Sequence, residues 1–273
     1  MKSTEKKNPE WFVKDRFGMF IHWGIYALAA RHEKVRALEP IPPDKYNMYS
    51  DLFDPDLFNP KAWAETAYKA GMKYLVFTAK HHDGFCMWDS QYTDFKVTNT
   101  PCGRDLLKEI VDAFRAKGIK IGLYYSLLDW HHPEFTVDLA HPEKNTPGER
   151  EKNTMRDMRK YARYMRDQVT ELLTGYGRID IMWFDFSYPC EDGKGAADWE
   201  SEKLVETVRS LQPHVLLDNR LDYPESADIF TPEQYIPSDG VRDESGNLKV
   251  WEGCHTFSGS WGYYRDEYTW KSV

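Results

Sequence analysis

The stretch RDLLKEIVDAFRAKGIKIGLYYS, residues 104–126, decides the fold class because it joins a helix directly to a buried strand. Its first part, 104–117, carries apolar side chains at helical spacing on one face: Leu106, Leu107, Ile110, Val111 and Phe114. Gly118 follows as a helix terminator. Residues 119–126 then form a nearly continuous apolar run, which is typical of a strand covered on both faces.

The same alternation extends along the chain in both directions. Further strands are predicted at 17–26, 74–79, 179–186 and 214–218, with a last apolar segment near 249–262. Further helices are predicted at 60–70, 150–174 and 199–211. Strands that alternate with helices imply a parallel sheet, and no G-x-G-x-x-G follows the first strand. The sequence therefore predicts an α/β fold, a (β/α)8-like TIM barrel, as a single domain over residues 1–273.

Composition excludes several classes of protein. Lys plus Arg total 36 and Asp plus Glu total 44, so the net charge of −8 argues against nucleic-acid binding. No stretch approaches the ~20 apolar residues of a membrane span, and the charged N-terminus lacks a secretory apolar region. The cysteines lie far apart, at Cys86, Cys102, Cys190 and Cys254. This spacing favours reduced thiols and a cytoplasmic protein.

Polar or aromatic residues stand where each apolar run stops. They are His22, then Lys80 to Asp83, then Tyr124 to Ser126, then Trp183 to Asp185, and finally Asp218 to Arg220. In (β/α) barrels the chemistry gathers at the carboxyl ends of the strands. The pattern therefore predicts a pocket at this end of the barrel, although it does not specify a reaction.

Two hypotheses follow from individual residues at these ends. Asp185, which follows the buried run IDIMWF, suits either a rigidly held nucleophile or a buried carboxylate that caps the next helix. His81, His82 and Asp83 suggest a zinc site as a minority alternative. Adjacent strand residues point to opposite faces, so both histidines can enter the barrel only if the strand bends or ends there.

Four segments together resemble the α-L-fucosidases of glycoside hydrolase family 29. They read FGMFIHWGIYA, KYLVFTAKHHDGFCMWDSQYTDF, GRDLLKEIVDAFRAKGIKIGLYYSLLDWHHP and IDIMWFD, and the match is collinear from about residue 9 to residue 268. The resemblance implies an irregular (β/α) barrel that hydrolyses terminal α-L-fucosides with retention of configuration. It implies no metal and no cofactor.

The resemblance also assigns the catalytic carboxyl groups. The aspartate of the family's W-x-D motif is the nucleophile, which corresponds to Asp185. The acid/base is a glutamate in a later loop, which matches Glu233 in DIFTPEQYIP, with Glu252 in WEGC as a rival. In retaining glycosidases these two carboxyl groups lie roughly 5–5.5 Å apart.

A set of sugar-binding residues carries over from the family in the same way: His22, Glu33, His81, His82, Tyr124, Trp183, Arg220 and Trp261. The histidines match residues that bind sugar hydroxyls. Trp261 matches a ring against the C5-methyl side of fucose. For Tyr124 and Trp183, packing in the barrel core is a competing interpretation.

Two departures from the family pattern carry expectations. The family often has one tryptophan two residues before the glutamate that matches Glu33 and another directly after it. This chain has cations at those two positions, Arg31 and Lys34. A cation at Lys34 suggests a preference for an acidic or sulfated aglycone. The chain also supplies about six of the eight strands of a closed barrel, without the family's last strands or a C-terminal β-sandwich.

That open edge leads to a prediction of self-association, because unpaired strand edges invite pairing with a second copy. It also keeps open a second hypothesis, a fucoside-binding barrel with weak or no catalysis. A metal-dependent hydrolase using His81 and His82 remains the third. The expected partner is a small fucosylated glycan or glycoside, without nucleic acid or membrane.

Overall fold

Five parallel strands form one sheet in the computed structural model, which describes residues 9–272. The strands are β1 (Gly18–Ile21), β2 (Tyr74–Lys80), β3 (Lys120–Ser126), β4 (Ile181–Asp185) and β5 (Leu216–Leu217). Each pairs in parallel with its neighbour in chain order. This order, with helices between the strands, is that of a (β/α) barrel and confirms the predicted α/β class.

Eight α-helices lie in the described part of the chain. They are α1 (Glu10–Asp15), α2 (Val35–Leu38), α3 (Pro43–Asp51), α4 (Pro60–Lys69), α5 (Leu106–Arg115), α6 (Met158–Gly175), α7 (Ala196–Trp199) and α8 (Ser201–Leu211). Short 3-10 helices occupy Ile25–Ala29, Val97–Asn99, Glu151–Met155 and Pro224–Ser226. Within residues 9–272, no helix has the length and hydrophobicity needed to cross a membrane.

Local sequence signals explain where the main helices begin. Asn59 caps α4 by accepting a hydrogen bond from the Ala62 N–H at 3.0 Å, and Pro60 occupies the first turn. Asp105 caps α5 in the same way. The helix predicted at 150–174 instead begins at Met158, because Asp157 caps it and a 3-10 turn precedes it.

The two faces of the sheet are both buried but against different partners. Leu123, Tyr125 and Phe184 pack outward with the helices, in the larger hydrophobic cluster. Tyr124 and Trp183 point to the opposite face, in a smaller inner cluster. Because side chains alternate along a strand, the residue two after Trp183, Asp185, is carried on the inner face.

The end of β2 breaks this alternation. The register between β2 and β3 shifts between Thr78 and Lys80, and the strand ends at Lys80. His81 and His82 follow the break, with ring centroids 4.1 Å apart. The condition under which both histidines could enter the barrel is therefore met.

A buried ion pair fixes the chain beyond this break. Lys80 Nζ lies 3.0 Å from Asp129 Oδ2, and both side chains are almost fully buried. The other Asp129 oxygen accepts the N–H groups of His131 and His132. Gly84 has a φ of +84° and packs against Asp129 so closely that a Cβ would clash. The loop after β3 is thus anchored against the end of β2.

The sixth apolar segment is not the strand that the sequence suggests. Residues 249–262 form isolated parallel bridges, Trp251 with Phe230 and Cys254 with Glu233. Within residues 9–272, β1 and β5 each have a single strand neighbour in the sheet. A cleft of about 1,210 Å³ opens between β1 and the segment from Leu248 onward.

Candidate active site

A cavity at the carboxyl ends of the strands brings together the residues predicted from the sequence. It is lined by His22, Glu33, His81, His82, Tyr124, Trp183, Asp185, Arg220, Glu233 and Trp261. Four further residues line it: Phe20, Lys34, Phe186 and Cys254. Phe20 and Phe186 were missed as site residues, although each is close in sequence to a predicted one.

Asp185 is held at the last position of β4 by both its backbone and its carboxylate. Its carbonyl accepts the Leu127 N–H at 2.9 Å. The Tyr124 hydroxyl donates to Oδ2 at 2.7 Å, and Arg220 Nη1 donates to Oδ1 at 2.9 Å. The side chain is 12% exposed, so a small ligand can still reach it. Asp185 thus combines a rigid position with access to the cavity.

Arg220 connects this carboxylate to a second one. Its Nη2 donates to Glu233 Oε2 at 2.9 Å, while its Nη1 holds Asp185. Burial disfavours the guanidinium charge, but Asp185, Asp218 and Glu233 outweigh it and raise the pKa of Arg220 above its ordinary value. One permanent cation therefore fixes two carboxylates on the same side of the cavity.

The two candidate glutamates have different environments. Glu233 lines the cavity and its side chain is 41% exposed. Glu252 does not line that cavity, and its oxygens accept from Trp183 Nε1 at 2.7 Å and the Tyr74 hydroxyl at 3.0 Å. Burial raises the pKa of Glu252. Glu252 is thus a hydrogen-bonded carboxyl group within the barrel, and Glu233 is the one that a ligand would meet.

The paired histidines present unsatisfied nitrogen atoms. His81 and His82 are 4% and 1% exposed, and within residues 9–272 no partner reaches His81 Nδ1 or His82 Nε2. Burial lowers the pKa of both well below 6.5, so each ring is neutral. Buried polar atoms without partners are costly, which points to a hydrogen-bonding ligand.

Aromatic rings form one wall of the cavity. Trp261 lies 5.2 Å from the His22 ring and 6.2 Å from Phe20. Burial lowers the pKa of His22 to about 4, against the opposing effects of Asp185 and Glu233. The wall is therefore uncharged near neutral pH and suits the apolar face of a sugar.

Tyr124 and Trp183 serve the barrel core and the site together. Their rings stack with centroids 5.6 Å apart in the inner cluster, as core packing requires. The Tyr124 hydroxyl nevertheless binds Asp185, and the Arg220 guanidinium lies 4.5 Å from the centre of the Trp183 ring. The two interpretations of these residues are thus compatible.

Glu33 and Lys34 reach the cavity from the loop after β1. Glu33 is buried, and its Oε2 accepts the Gly262 N–H at 2.8 Å, which ties this loop to the segment that carries Trp261. Lys34 Nζ lies 5.4 Å from the centre of the Phe186 ring. Its charge is close enough to contribute to the lowered pKa of His82.

The remaining chemical alternative for the site is a metal centre. Across residues 9–272, no group of three or more His, Cys, Asp or Glu side chains is placed to hold a metal ion. The arrangement that is present consists of two carboxylates bridged by arginine beside neutral histidines. Such a pair can act on a bond between sugar and leaving group by nucleophilic attack and proton transfer.

Comparison with known proteins agrees with this geometry. The family model described as Alpha-L-fucosidase matches residues 1–273. The chain belongs to the α-L-fucosidase family. The motif-based expectation is thereby confirmed at the level of family.

Solved structures of α-L-fucosidases share the fold. Isoenzyme 1 from Paenibacillus thiaminolyticus superposes with a TM-score of 0.93 at 47% identity, over 98% of this chain and 65% of that one. A Bacteroides thetaiotaomicron enzyme, solved as a trapped covalent intermediate with 2-fluoro-fucosyl fluoride, gives a TM-score of 0.81 at 27% identity. There the match covers 99% of this chain and 66% of that one.

Curated relatives extend beyond the matched region. The tissue α-L-fucosidase of Rattus norvegicus is 28% identical over 279 residues, which covers 94% of this chain and 56% of the relative. The chain thus spans about half the length of the curated relatives it matches. The fold and the family are shared over the matched region.

Proposed function

We propose that this chain is the catalytic barrel of a retaining α-L-fucosidase that acts on terminal α-L-fucosides. The observation that carries the proposal is the bridge from Arg220 to both Asp185 and Glu233, at the wall of a cavity with unsatisfied histidine nitrogens. Two carboxyl groups beside one sugar pocket are the requirement of glycoside hydrolysis. Family membership and the relative trapped as a covalent intermediate support the same mechanism.

In the first step Asp185 is the nucleophile. One of its oxygens forms a bond to the anomeric carbon while the bond from that carbon to the leaving oxygen breaks. Glu233, protonated, transfers its proton to the leaving oxygen. Tyr124 and Arg220 hold the Asp185 carboxylate, so that little motion is needed before attack.

In the second step Glu233, now a carboxylate, takes a proton from water. The water oxygen bonds to the anomeric carbon, and the ester to Asp185 breaks and restores its carboxylate. Two displacements at the same carbon retain its configuration. Glu252 has no place in either step, because it does not line the cavity and both its oxygens accept hydrogen bonds, one from Trp183 and one from Tyr74.

Recognition of the sugar is assigned to the rest of the cavity. The neutral His81 and His82 would bind hydroxyl groups through the nitrogens that lack partners. Trp261, with Phe20 beside it, would cover the apolar C5-methyl side of fucose. A deep hydroxyl-binding end and an apolar wall fit one terminal deoxy sugar.

The test is release of nitrophenol from 4-nitrophenyl α-L-fucoside by the wild type and by Asp185→Ala. We expect turnover by the wild type and a loss of about 10⁴-fold in the variant, because the nucleophile is removed. Circular dichroism of the variant controls for folding. Fucose binding without turnover by the wild type would favour the fucoside-binding alternative and contradict the proposal.

Retention is tested separately from activity. Early NMR spectra of the product should show α-L-fucose before mutarotation, since two inversions cancel. β-L-Fucose as the first product would contradict the double displacement while leaving fucosidase activity intact.

We also infer that the chain self-associates. The support is the sheet, in which β1 and β5 each have one strand neighbour within residues 9–272, beside the cleft that begins at Leu248. Light scattering across a dilution series should report a mass above that of one chain. A monomer that persists at every concentration would contradict this inference.

A further inference from the structure

Ser126 makes a pair of hydrogen bonds that the catalytic scheme does not use. It is the last residue of β3, it is fully buried, and it lies opposite Asp185 in the register of β3 with β4. Its Oγ lies 2.7 Å from His82 Nδ1 and 2.9 Å from the Leu128 carbonyl oxygen. Ser126 thus connects a site histidine to the backbone of the loop after β3.

The directions of these bonds follow from counting protons. A serine hydroxyl has one proton, and a carbonyl oxygen can only accept. Leu128 O therefore takes the Ser126 proton, and within residues 9–272 no other donor reaches that carbonyl. The Ser126 oxygen is left as an acceptor toward His82. His82 must donate to it, so the ring proton is on Nδ1.

The other nitrogen of His82 then carries a lone pair. Burial, with Lys34 adding to it, lowers the pKa of His82 well below 6.5, so no second proton is present near neutral pH. Nε2 is buried and without a partner in the described part of the chain. It lies 3.9 Å from Asp185 Oδ2, and two acceptors cannot bond to each other. A donor at this point has to come from a ligand.

We infer that Ser126 is a positioning residue that locks His82 as the Nδ1–H tautomer, so that Nε2 accepts a hydrogen bond from a substrate hydroxyl beside Asp185. The identity of the ligand, a sugar hydroxyl, rests on the proposed function, whereas the tautomer does not. A substrate whose hydroxyl at this position is removed or methylated loses this bond. Ser126 thereby contributes to specificity without contacting the sugar.

The tautomer is measured directly by NMR of protein labelled with ¹⁵N-histidine, with His82→Gln used to assign the His82 signals. We expect a protonated Nδ1 and an unprotonated Nε2 in the ligand-free wild type. Ser126→Ala should shift the ring toward the Nε2–H tautomer, and Ser126→Thr should restore the wild-type pattern because it keeps the hydroxyl. A protonated Nε2 in the wild type, or an unchanged pattern in Ser126→Ala, would overturn the inference.

Ser90→Ala is the matched control. Ser90 is also fully buried, and its hydroxyl donates to Glu171 Oε2 at 2.8 Å, away from the cavity. This variant deletes the same group and should leave the His82 signals unchanged. A His82 shift as large as that in Ser126→Ala would mean that any buried serine deletion perturbs the ring, which contradicts a specific lock.

Kinetics then test whether Ser126 affects catalysis through His82. Ser126→Ala should lower kcat/KM about tenfold, the value of one hydrogen bond, and should have no further effect in a His82→Gln background. Equal effects in the two backgrounds would contradict action through His82. Absence of turnover by the wild type would defeat the proposed function, and the NMR measurement would still decide the tautomer.

Discussion

The half of the site that the sheet carries differs from the half that the loops carry. Asp185 and Tyr124 are buried on β4 and β3 and positioned by backbone register, and the buried His82 follows directly on the end of β2. Arg220 and Glu233 lie beyond β5, in irregular chain. This second half is positioned by side-chain bonds and by the isolated bridge between Glu233 and Cys254.

Arg220 is what joins the two halves. It donates from Nε to Thr231 Oγ1 at 3.0 Å and from Nη2 to the Thr231 carbonyl at 3.2 Å. The same guanidinium holds Asp185 and Glu233. The proposed nucleophile, Asp185, therefore lies within the paired sheet, whereas the proposed acid/base, Glu233, is held outside it by Arg220 and by its isolated bridge to Cys254.

The sharpest contrast in this comparison is between the two glutamates of the loop half. Glu233→Gln should lower kcat about 10³-fold for substrates with poor leaving groups, since general acid catalysis is removed. The loss should shrink for activated aryl fucosides, which need little protonation. Steady-state kinetics over a series of leaving groups measures both effects.

Glu252→Gln is the matched control for that series. It should affect the free energy of unfolding more than kcat, because Glu252 accepts from Trp183 and Tyr74 in the barrel. If instead Glu252→Gln gave the leaving-group dependence and Glu233→Gln did not, the assignment of the acid/base would be reversed.

A prediction about pH tests whether water is excluded from His81, which follows the end of β2. His81 is neutral in the native state because burial, with His82 and His22 adding to it, lowers its pKa well below 6.5. The unfolded chain binds that proton below about pH 6.5. The neutral, buried His81 therefore costs the folded state nothing above that pH, and the free energy of unfolding decreases as the pH falls below it.

His81→Gln should reduce the pH dependence of the free energy of unfolding by about 1 kcal/mol per pH unit between pH 5 and 6. Urea unfolding at several pH values measures this slope. Asp83, whose pKa burial raises to about 6, contributes a slope of opposite sign, and the difference between variant and wild type isolates the histidine. An unchanged slope would show that water reaches His81.

The smallest expected effect concerns Lys34 at the cavity wall. Lys34→Trp removes a cation that lies over Phe186, so it should lower kcat/KM for fucosides with an anionic aglycone a few-fold relative to neutral ones. The ratio of the two substrate classes is the measurement. A ratio unchanged by the substitution would contradict a preference for acidic or sulfated aglycones.

The sequence predicted the sheet half well because its signals are local. Apolar runs at 74–79, 119–126 and 179–186 correspond to β2, β3 and β4, and strand ends place Asp185 and Tyr124. The tautomer of His82 could not be predicted from the sequence, because it depends on the hydrogen bond that Ser126 donates to the carbonyl oxygen of Leu128 in the following loop.

The loop half was predictable only in part. The resemblance favoured Glu233 over Glu252, but only the contacts of Trp183 and Tyr74 show what Glu252 does in the barrel. The segment 249–262 was expected as a strand from its apolar residues. It makes isolated bridges instead, since pairing partners in space are not encoded locally.

The most direct test of the central claim is covalent trapping. Incubation with 2-fluoro-fucosyl fluoride, followed by digestion and mass spectrometry, should show loss of fluoride from the anomeric carbon and one 2-fluoro-fucosyl ester on Asp185. The Asp185→Ala variant should carry none. An ester on Glu233 or Glu252, or the same labelling in the variant, would contradict the assignment of Asp185 as the nucleophile.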